Sequence, residues 1–388
     1  MRTFQLLVVL ACWLLVSQRL TSQELSGYIN GMPSVIVQQP GRDAWWQTLV
    51  HNRLNFGWQL SGFLRVDAGM RNRFITGSDA LIDPRSAGFD PGWMDLSWNW
   101  LDVAGASHAL PLLGNTALDR LFVTCEKNKW KIQAGRQRIN WGQTFVWNPN
   151  DLFNTYSFFD FDYPERPGCD AFRGTYYHNA TASSEMAVSV KHDHKVTAAL
   201  LHRWNRKNVD YQLLAGEQAE TDIVVGGALT SDVKGLNIRS ECSYFHPVRN
   251  FSDTSGIVAA SLGADYVFSN TLMIQAEVLY NNVSRTTAGM SSGMMGLYSA
   301  PLSAKYLSIS DWNIFLNASY PVSPRLKSAL SGMYFVDIQS FYAGFSLDYS
   351  LMENLDFSFI AQYFSVRGSA NLGNMQLLMT FARLKYSF

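Results

Sequence analysis

The sequence predicts an all-β protein, a transmembrane antiparallel β-barrel of about 18 strands with a constriction loop folded inward. Charged residues make up only 16% of its 388 residues, whereas ordinary soluble domains have roughly 25%. Apolar and polar residues alternate over segments of about ten residues, which is typical of strands that face lipid on one side. After residue 22, no apolar run reaches the roughly 20 residues that a spanning helix needs.

The N-terminal segment has the pattern of an export signal. An apolar run over residues 6–16 follows Arg2, and small or polar residues follow the run. The run is too short to span a membrane but suits the core of a signal peptide. We therefore expect residues 1–22 to be a signal peptide, residues 23–46 to be a periplasmic lead-in without strands, and residues 47–388 to form the barrel.

Charge and cysteine content argue against several classes of protein. Lys plus Arg and Asp plus Glu are equal at 31 each, so there is no basic excess for binding nucleic acid. After residue 22, Cys125, Cys169 and Cys242 are widely spaced and form no CxxC pair, which suits neither a disulfide framework nor a zinc site. We expect no nucleic-acid partner, no metal and no cofactor.

Period-two alternation is clearest near the C-terminus. Between residues 340 and 350, one face carries Phe341, Phe345 and Tyr349, and the other is mostly polar. The strands of a soluble β-sandwich also alternate between apolar and polar residues, but they rarely have aromatic residues at both ends of so many strands. Counting by alternation and turn residues gives 18 strands, of which the first three are 47–57, 60–73 and 92–103. Sixteen strands is the alternative, because residues 74–91 would form a long connection on the periplasmic side, where connections are short.

The last strand ends on an aromatic residue. Tyr386 and Leu384 share the face of Phe388, while Lys385 and Arg383 occupy the other face. Such an ending resembles the signal by which bacterial outer-membrane barrels are recognised for insertion. It implies that the barrel-insertion machinery is a partner that recognises Phe388, and that the C-terminus lies in the periplasm.

The most distinctive segment runs GRQRINWG at residues 135–142, WNPNDLFN at 147–154 and ERPGCDAFR at 165–173. It resembles a family of porin-like outer-membrane barrels of Gram-negative bacteria, similar in style to alginate-export barrels. The match is dense over about 40 residues and weaker elsewhere, and Cys169 departs from the family pattern. The resemblance implies a multi-pass barrel in the bacterial outer membrane that passes a solute.

Residues 139–168 form a long connection that contains nine aromatic residues. A loop this apolar would not stand in water, so we expect it to fold into the barrel and narrow the lumen. Its charges would then lie beside basic residues of the flanking strands, where they could either select solutes or pin the loop by buried ion pairs. The candidate residues for pore constriction or loop anchoring are Arg136, Arg138, Trp141, Trp147, Asn148, Asp151, Glu165, Arg166, Asp170 and Arg173.

Strict alternation creates a difficulty in this segment. Trp130, Ile132 and Ala134 are expected to face lipid, and alternation would place Arg136 and Arg138 on the same face. Either a bulge at Gly135 reverses the alternation or both arginines lie above the membrane. We favour the bulge.

These observations predict a channel for small hydrophilic solutes, with sugars or oligosaccharides suggested by the aromatic residues. A non-conducting subunit of a secretion or assembly complex is the alternative. A barrel hydrolase is less favoured, because the GxSxG match at residues 289–293 has no strand–turn–helix context. No catalytic residues are expected. The expected partners are outer-membrane lipid and a small solute. Homo-oligomerisation is left as an alternative, on the precedent of porins.

Overall fold

The computed structural model describes residues 23–38, 44–78, 97–102, 112–155, 158–159, 165–166, 168–191, 194–249, 251–282, 303–367 and 374–388. Regular structure in these residues consists of 19 β-strands. Within the same residues, no helix has the length and apolar character needed to cross a membrane.

The strands are β1 Gln23–Gln38, β2 Ala44–Ser61, β3 Leu64–Gly77, β4 Ser97–Asp102, β5 Leu112–Lys127, β6 Trp130–Gln137, β7 Cys169–Asn179, β8 Ala182–Val190, β9 Val196–Arg206, β10 Val209–Gln218, β11 Asp222–Val233, β12 Leu236–Pro247, β13 Ile257–Val267, β14 Met273–Asn281, β15 Trp312–Ser323, β16 Leu326–Phe335, β17 Ser340–Met352, β18 Leu355–Val366 and β19 Met375–Ser387.

Eighteen of these strands form a closed antiparallel ring. Each pairs with its neighbours, and β1 closes the ring by pairing with both β2 and β19. Strand β3 pairs directly with β5, so β4 lies outside the ring and pairs with β5 alone. The predicted barrel of 18 strands is confirmed.

The membership of the ring differs from the prediction. Residues 23–38, expected to belong to a lead-in without strands, form β1, and the predicted strand 92–103 corresponds only to β4 outside the ring. Glycine, asparagine and proline interrupt the apolar pattern of β1 in the sequence, but Tyr28 and Met32 are buried while Leu25, Ile29 and Val35 are exposed. Backbone pairing along two neighbouring strands therefore outweighs the weak pattern. Residues 1–22 lie outside the described residues.

This correction also removes the reason for a 16-strand alternative. Residues 74–77 belong to β3, which ends at the same end of the barrel as β6, before the long connection to β7. The connection between β3 and β5 therefore starts at the end where long connections are expected.

The two ends of the barrel differ. Short turns join strands at one end, here called the short-turn end, for example at residues 128–129, 207–208 and 353–354. Phe388 also lies there, and its backbone exchanges two hydrogen bonds of 2.9 and 3.0 Å with Gly27. Residues 138–168 begin and end at the opposite, long-loop end.

The outer face of the barrel is apolar. Leu200, Leu213 and Leu330 are among its most exposed side chains, while the alternating residues Leu201, Leu214 and Met333 point inward and are buried. A closed sheet leaves no backbone group unpaired in lipid, so this surface suits a hydrocarbon environment. The architecture is that of a closed antiparallel β-barrel with an apolar outer face.

Candidate constriction site

The segment between β6 and β7, residues 138–168, here called the lumen loop, crosses the interior of the barrel. The ring of Phe158 lies 4.9 Å from that of Phe315 on β15, and the ring of Phe159 lies 5.0 Å from Tyr342 on β17 and 5.1 Å from Phe364 on β18. These strands are on the side of the ring opposite β6 and β7. The predicted inward fold of the loop is confirmed.

Two buried carboxylates bind the loop from strands β12 and β14, which are here called the far wall. Glu277 on β14 accepts the backbone amides of Phe145, Val146 and Trp147, each at 2.9 Å. Glu241 on β12 accepts the amides of Gln143, Thr144 (2.7 Å) and Asn150 (3.1 Å). Successive amides that converge on one point form an anion-binding concavity, and hydrogen bonds to a charged acceptor contribute more than neutral ones.

Sequence reasoning did not identify these two anchors. Both glutamates are inward-facing residues of alternating strands, and Glu277 lies between the outward residues Ala276 and Val278. A single acidic residue on an inward face was the only available signal. Nothing in the local pattern of β12 or β14 indicates that its partner is a backbone more than 90 residues away.

Arg136 and Asp170 pin the two ends of the loop together. They lie directly opposite each other on β6 and β7 and form a bidentate ion pair with N–O distances of 2.7 and 2.8 Å. Both side chains are buried. This geometry fits the pinning interpretation for Arg136 and Asp170.

The expected bulge at Gly135 is not present. The register of β6 with β5 and β7 runs without a shift, and the alternation changes because Gly135 adopts φ = +117°. A Cβ at this position would overlap the carbonyl oxygen of Leu121, so the conformation requires glycine. The nearby bulge lies in β5 instead, where Asp119 is the extra residue and pairs with Arg53.

A second cluster lies inside the loop itself. Asp151 is fully buried, and the amides of Trp141 and Asn154 face its carboxylate without reaching hydrogen-bond geometry. Burial raises the pKa of Asp151 to about 7, although the positive charges of Arg138 and Arg166 oppose the shift. Burial and the neighbouring charge of Arg138 lower the pKa of Arg166 to about 10.

Glu185 on β8 connects the loop to the near wall. Its carboxylate accepts the indole N–H of Trp141 at 2.5 Å and two guanidinium bonds from Arg173 at 2.8 and 2.7 Å. The predicted residues Trp141 and Arg173 therefore meet at one acidic group, which sequence reasoning had not included.

The remaining predicted residues also lie in or against the loop. Trp147 is buried with its ring 6.5 Å from that of Phe315, and the amide oxygen of Asn148 lies 3.5 Å from the hydroxyl of Thr144. The carboxylate of Glu165 accepts the hydroxyl of Tyr28 at 2.9 Å and lies 3.9 Å from Arg53.

In two ion pairs of the lumen wall, the positive group is more exposed than the negative group. Arg173 and Arg239 have 22% and 33% of their side chains exposed, whereas their partners Glu185 and Asp265 have 4% and 9%. Glu185 is covered by Arg173 and by Trp141 of the lumen loop, and Asp265 lies 3.6 Å from Arg239. The guanidinium groups are the more accessible members of these pairs.

Two further features of the sequence concern metal binding and hydrolysis. No group of three His, Cys, Asp or Glu side chains is placed to hold a metal ion within it. The GxSxG segment at residues 289–293 lies outside the described residues.

Comparison with known proteins identifies the fold. OccK8 (OprE) of Pseudomonas aeruginosa matches with a TM-score of 0.58 and 8% identity, covering 95% of this chain and 99% of that chain. OccAB1 of Acinetobacter baumannii matches with a TM-score of 0.57 and 9% identity, covering 94% and 97%. The chain has the barrel fold of these proteins over nearly its whole length. No protein-family model and no curated protein sequence match. The family suggested by the GRQ, WNP and ERPG segments remains a prediction.

Proposed function

We propose that the barrel is a passive outer-membrane channel for small hydrophilic solutes and that the lumen loop sets its narrowest part. The observation that supports this most directly is the anchoring of the loop across the lumen by Glu241 and Glu277. A loop bound to both walls restricts the passage without needing a further closing element.

Two accessible arginines of the lumen wall favour solutes that carry a negative group. The partly exposed guanidinium groups of Arg173 and Arg239 face the interior, while the carboxylates beside them are buried. Fixed positive charge in a narrow passage with low-dielectric walls concentrates anions and repels cations. We therefore propose small anionic solutes as the preferred class.

Neutral sugars are a weaker proposal for this lumen. The expectation of sugars rested on aromatic residues of the loop that could stack against a sugar ring. Trp141, Trp147, Phe153 and Phe159 are instead buried, and their rings contact other rings of the loop or the wall. These side chains stabilise the loop and are not available for stacking on a solute.

Planar-bilayer recording of the purified protein tests the proposal. We expect single-channel steps, and in a KCl gradient we expect a reversal potential on the anion-selective side. A folded barrel that never conducts would favour the non-conducting subunit. A conducting barrel with cation selectivity would leave the channel intact but would contradict the preference for anionic solutes.

A further inference from the structure

A row of polar side chains crosses the outer face of β2, β3 and β5. Asn52, Asn72 and Thr116 lie directly opposite one another in the register of these strands. The Asn72 amide donates to the Asn52 amide oxygen at 3.1 Å, and the Thr116 hydroxyl donates to the Asn72 amide oxygen at 2.8 Å. The Asn52 amide in turn donates to the backbone carbonyl of Tyr28 at 3.2 Å. The three side chains form one continuous hydrogen-bonded row, here called the amide row.

The amide row lies on the outer face of the barrel, where Asn52 and Asn72 are half-buried and Thr116 is buried beside β4. On β2, the neighbouring residues His51 and Arg53 are buried inside the barrel, whereas Val50 is exposed on the outside with the parity of Asn52. Asn52 also lies opposite Ile29, another exposed residue of the outer face. Asn72 and Thr116 share this face because they are direct cross-strand neighbours.

The amide row lies at mid-height of the apolar band. Trp46 and Trp58 are 40% and 39% exposed on the same face of β2, and each is six residues from Asn52. Tryptophan is enriched at both membrane interfaces, so these two residues mark the two edges of the hydrocarbon layer. Asn52 is midway between them, where an exposed polar group is most costly.

The hydrogen bonds within the row satisfy only part of its capacity. Each amide nitrogen has two N–H donors, and the described residues accept one bond from Asn52 and one from Asn72. Lipid tails offer no acceptor for the second. A protein surface with its own amide oxygens would supply one.

The outer face beside the row is also open to close approach. Gly31 on β1 shares the outward parity of Ile29 and lies opposite Val50. No atom lies within 4 Å of the position that a Cβ at Gly31 would occupy. Small residues at membrane interfaces let two backbones come together, and polar side chains then add interhelical or interstrand hydrogen bonds.

We propose that this face, formed by β1, β2, β3 and β5, is the interface between two copies of this chain in the membrane. An amide carries both a donor and an acceptor, so the amide row is complementary to itself when a second copy is related by a two-fold axis. The open position at Gly31 accepts an apolar side chain of the other copy. The proposal concerns the outer face and is independent of what the lumen conducts.

Density-matched sedimentation of the purified barrel in detergent tests the proposal. We expect a dimer for the wild type and dimerisation weakened about tenfold in Asn52→Leu/Asn72→Leu, as one such hydrogen bond contributes roughly 1–2 kcal/mol. Leucine suits a lipid-facing position, so the variant should fold, and heat-modifiable migration on a gel checks this. Leu200→Val/Leu213→Val, which alters exposed apolar positions distant from the row, is the control and should leave wild-type dimerisation unchanged.

Cysteine cross-linking in native outer membranes identifies the occupant. In a background without the native cysteines, Val50→Cys should give a cross-linked band at twice the mass of the chain, and Leu200→Cys should not. A monomer at every protein-to-detergent ratio, or equal cross-linking at the two positions, would overturn the proposal. A Val50→Cys band that contains a different protein would also overturn it, because the occupant would not be a second copy.

Discussion

The carboxylate of Glu277 accepts the backbone amide of Trp147 at 2.9 Å, although 130 positions separate the two residues. This bond and its five counterparts at Glu241 and Glu277 place the lumen loop across the barrel. Because the bonds run from backbone amides to charged side chains, two wall residues fix the position of this part of the loop.

Ion selectivity should depend on the accessible arginines. Arg173→Gln/Arg239→Gln removes the two partly exposed positive groups, so the reversal potential in a salt gradient should move in the cation-selective direction. Arg136→Gln removes a buried group and should move it much less, although breaking a buried ion pair costs about 3–5 kcal/mol of stability. A shift with Arg136→Gln alone would mean that the pinning pair also controls selectivity.

Stability of the loop should depend on pH through Asp151. Its pKa in the folded protein is raised to about 7 from 3.8. The folded state therefore holds the proton more tightly than the unfolded state, and the loop loses stability as the pH rises from about 4 to about 7, by on the order of 4 kcal/mol. Protease cleavage within the loop should be slower at pH 5 than at pH 8.

Asp151→Asn should reduce this pH dependence and protect the loop at pH 8. Asp348→Asn, which changes a half-exposed carboxylate on β17, should retain the wild-type dependence. A pH dependence in Asp151→Asn as large as that of the wild type would assign the effect to another group.

Closure of the barrel should depend on the last residue. Deleting Phe388 removes both hydrogen bonds to Gly27, a loss of about 1–3 kcal/mol, and removes an exposed aromatic side chain from the outer face. The fraction of heat-modifiable folded barrel should fall, while Phe388→Tyr should retain it. Wild-type levels after the deletion would show that neither the bonds nor the terminal ring are needed for insertion.

The two ends of the barrel should face opposite sides of the membrane. In a background without the native cysteines, Asp253→Cys at the long-loop end should react with an impermeant maleimide in intact cells. Asn270→Cys and Glu353→Cys at the short-turn end should react only after the membrane is permeabilised. The reverse pattern would invert the orientation.

Much of the fold was predictable because lipid imposes alternation on every strand that it contacts. Strands such as β17, with Phe341 and Phe345 outward, show this directly in the sequence. Strand β1 was not predicted, since Gly31 and Pro33 interrupt its apolar face and its stability comes from pairing with β2 and β19.

Only the part of the candidate site that adjoins the lumen loop in sequence was predictable. Arg136, Asp170 and Arg173 lie beside the loop in sequence, so their involvement could be inferred from proximity. Glu241 and Glu277 belong to strands far along the chain, and only the closure of the ring brings them to the loop. The change of alternation at Gly135 was anticipated, but its cause is a positive φ and not an inserted residue.

The single-channel conductance of Glu241→Gln/Glu277→Gln tests most directly whether the loop sets the width of the channel. Each glutamine places an NH₂ group where a carboxylate oxygen now accepts backbone amides, so the loop should detach from the far wall. We expect a conductance clearly above that of the wild type, with Asp348→Asn unchanged as the control. A folded double variant with wild-type conductance would contradict the account.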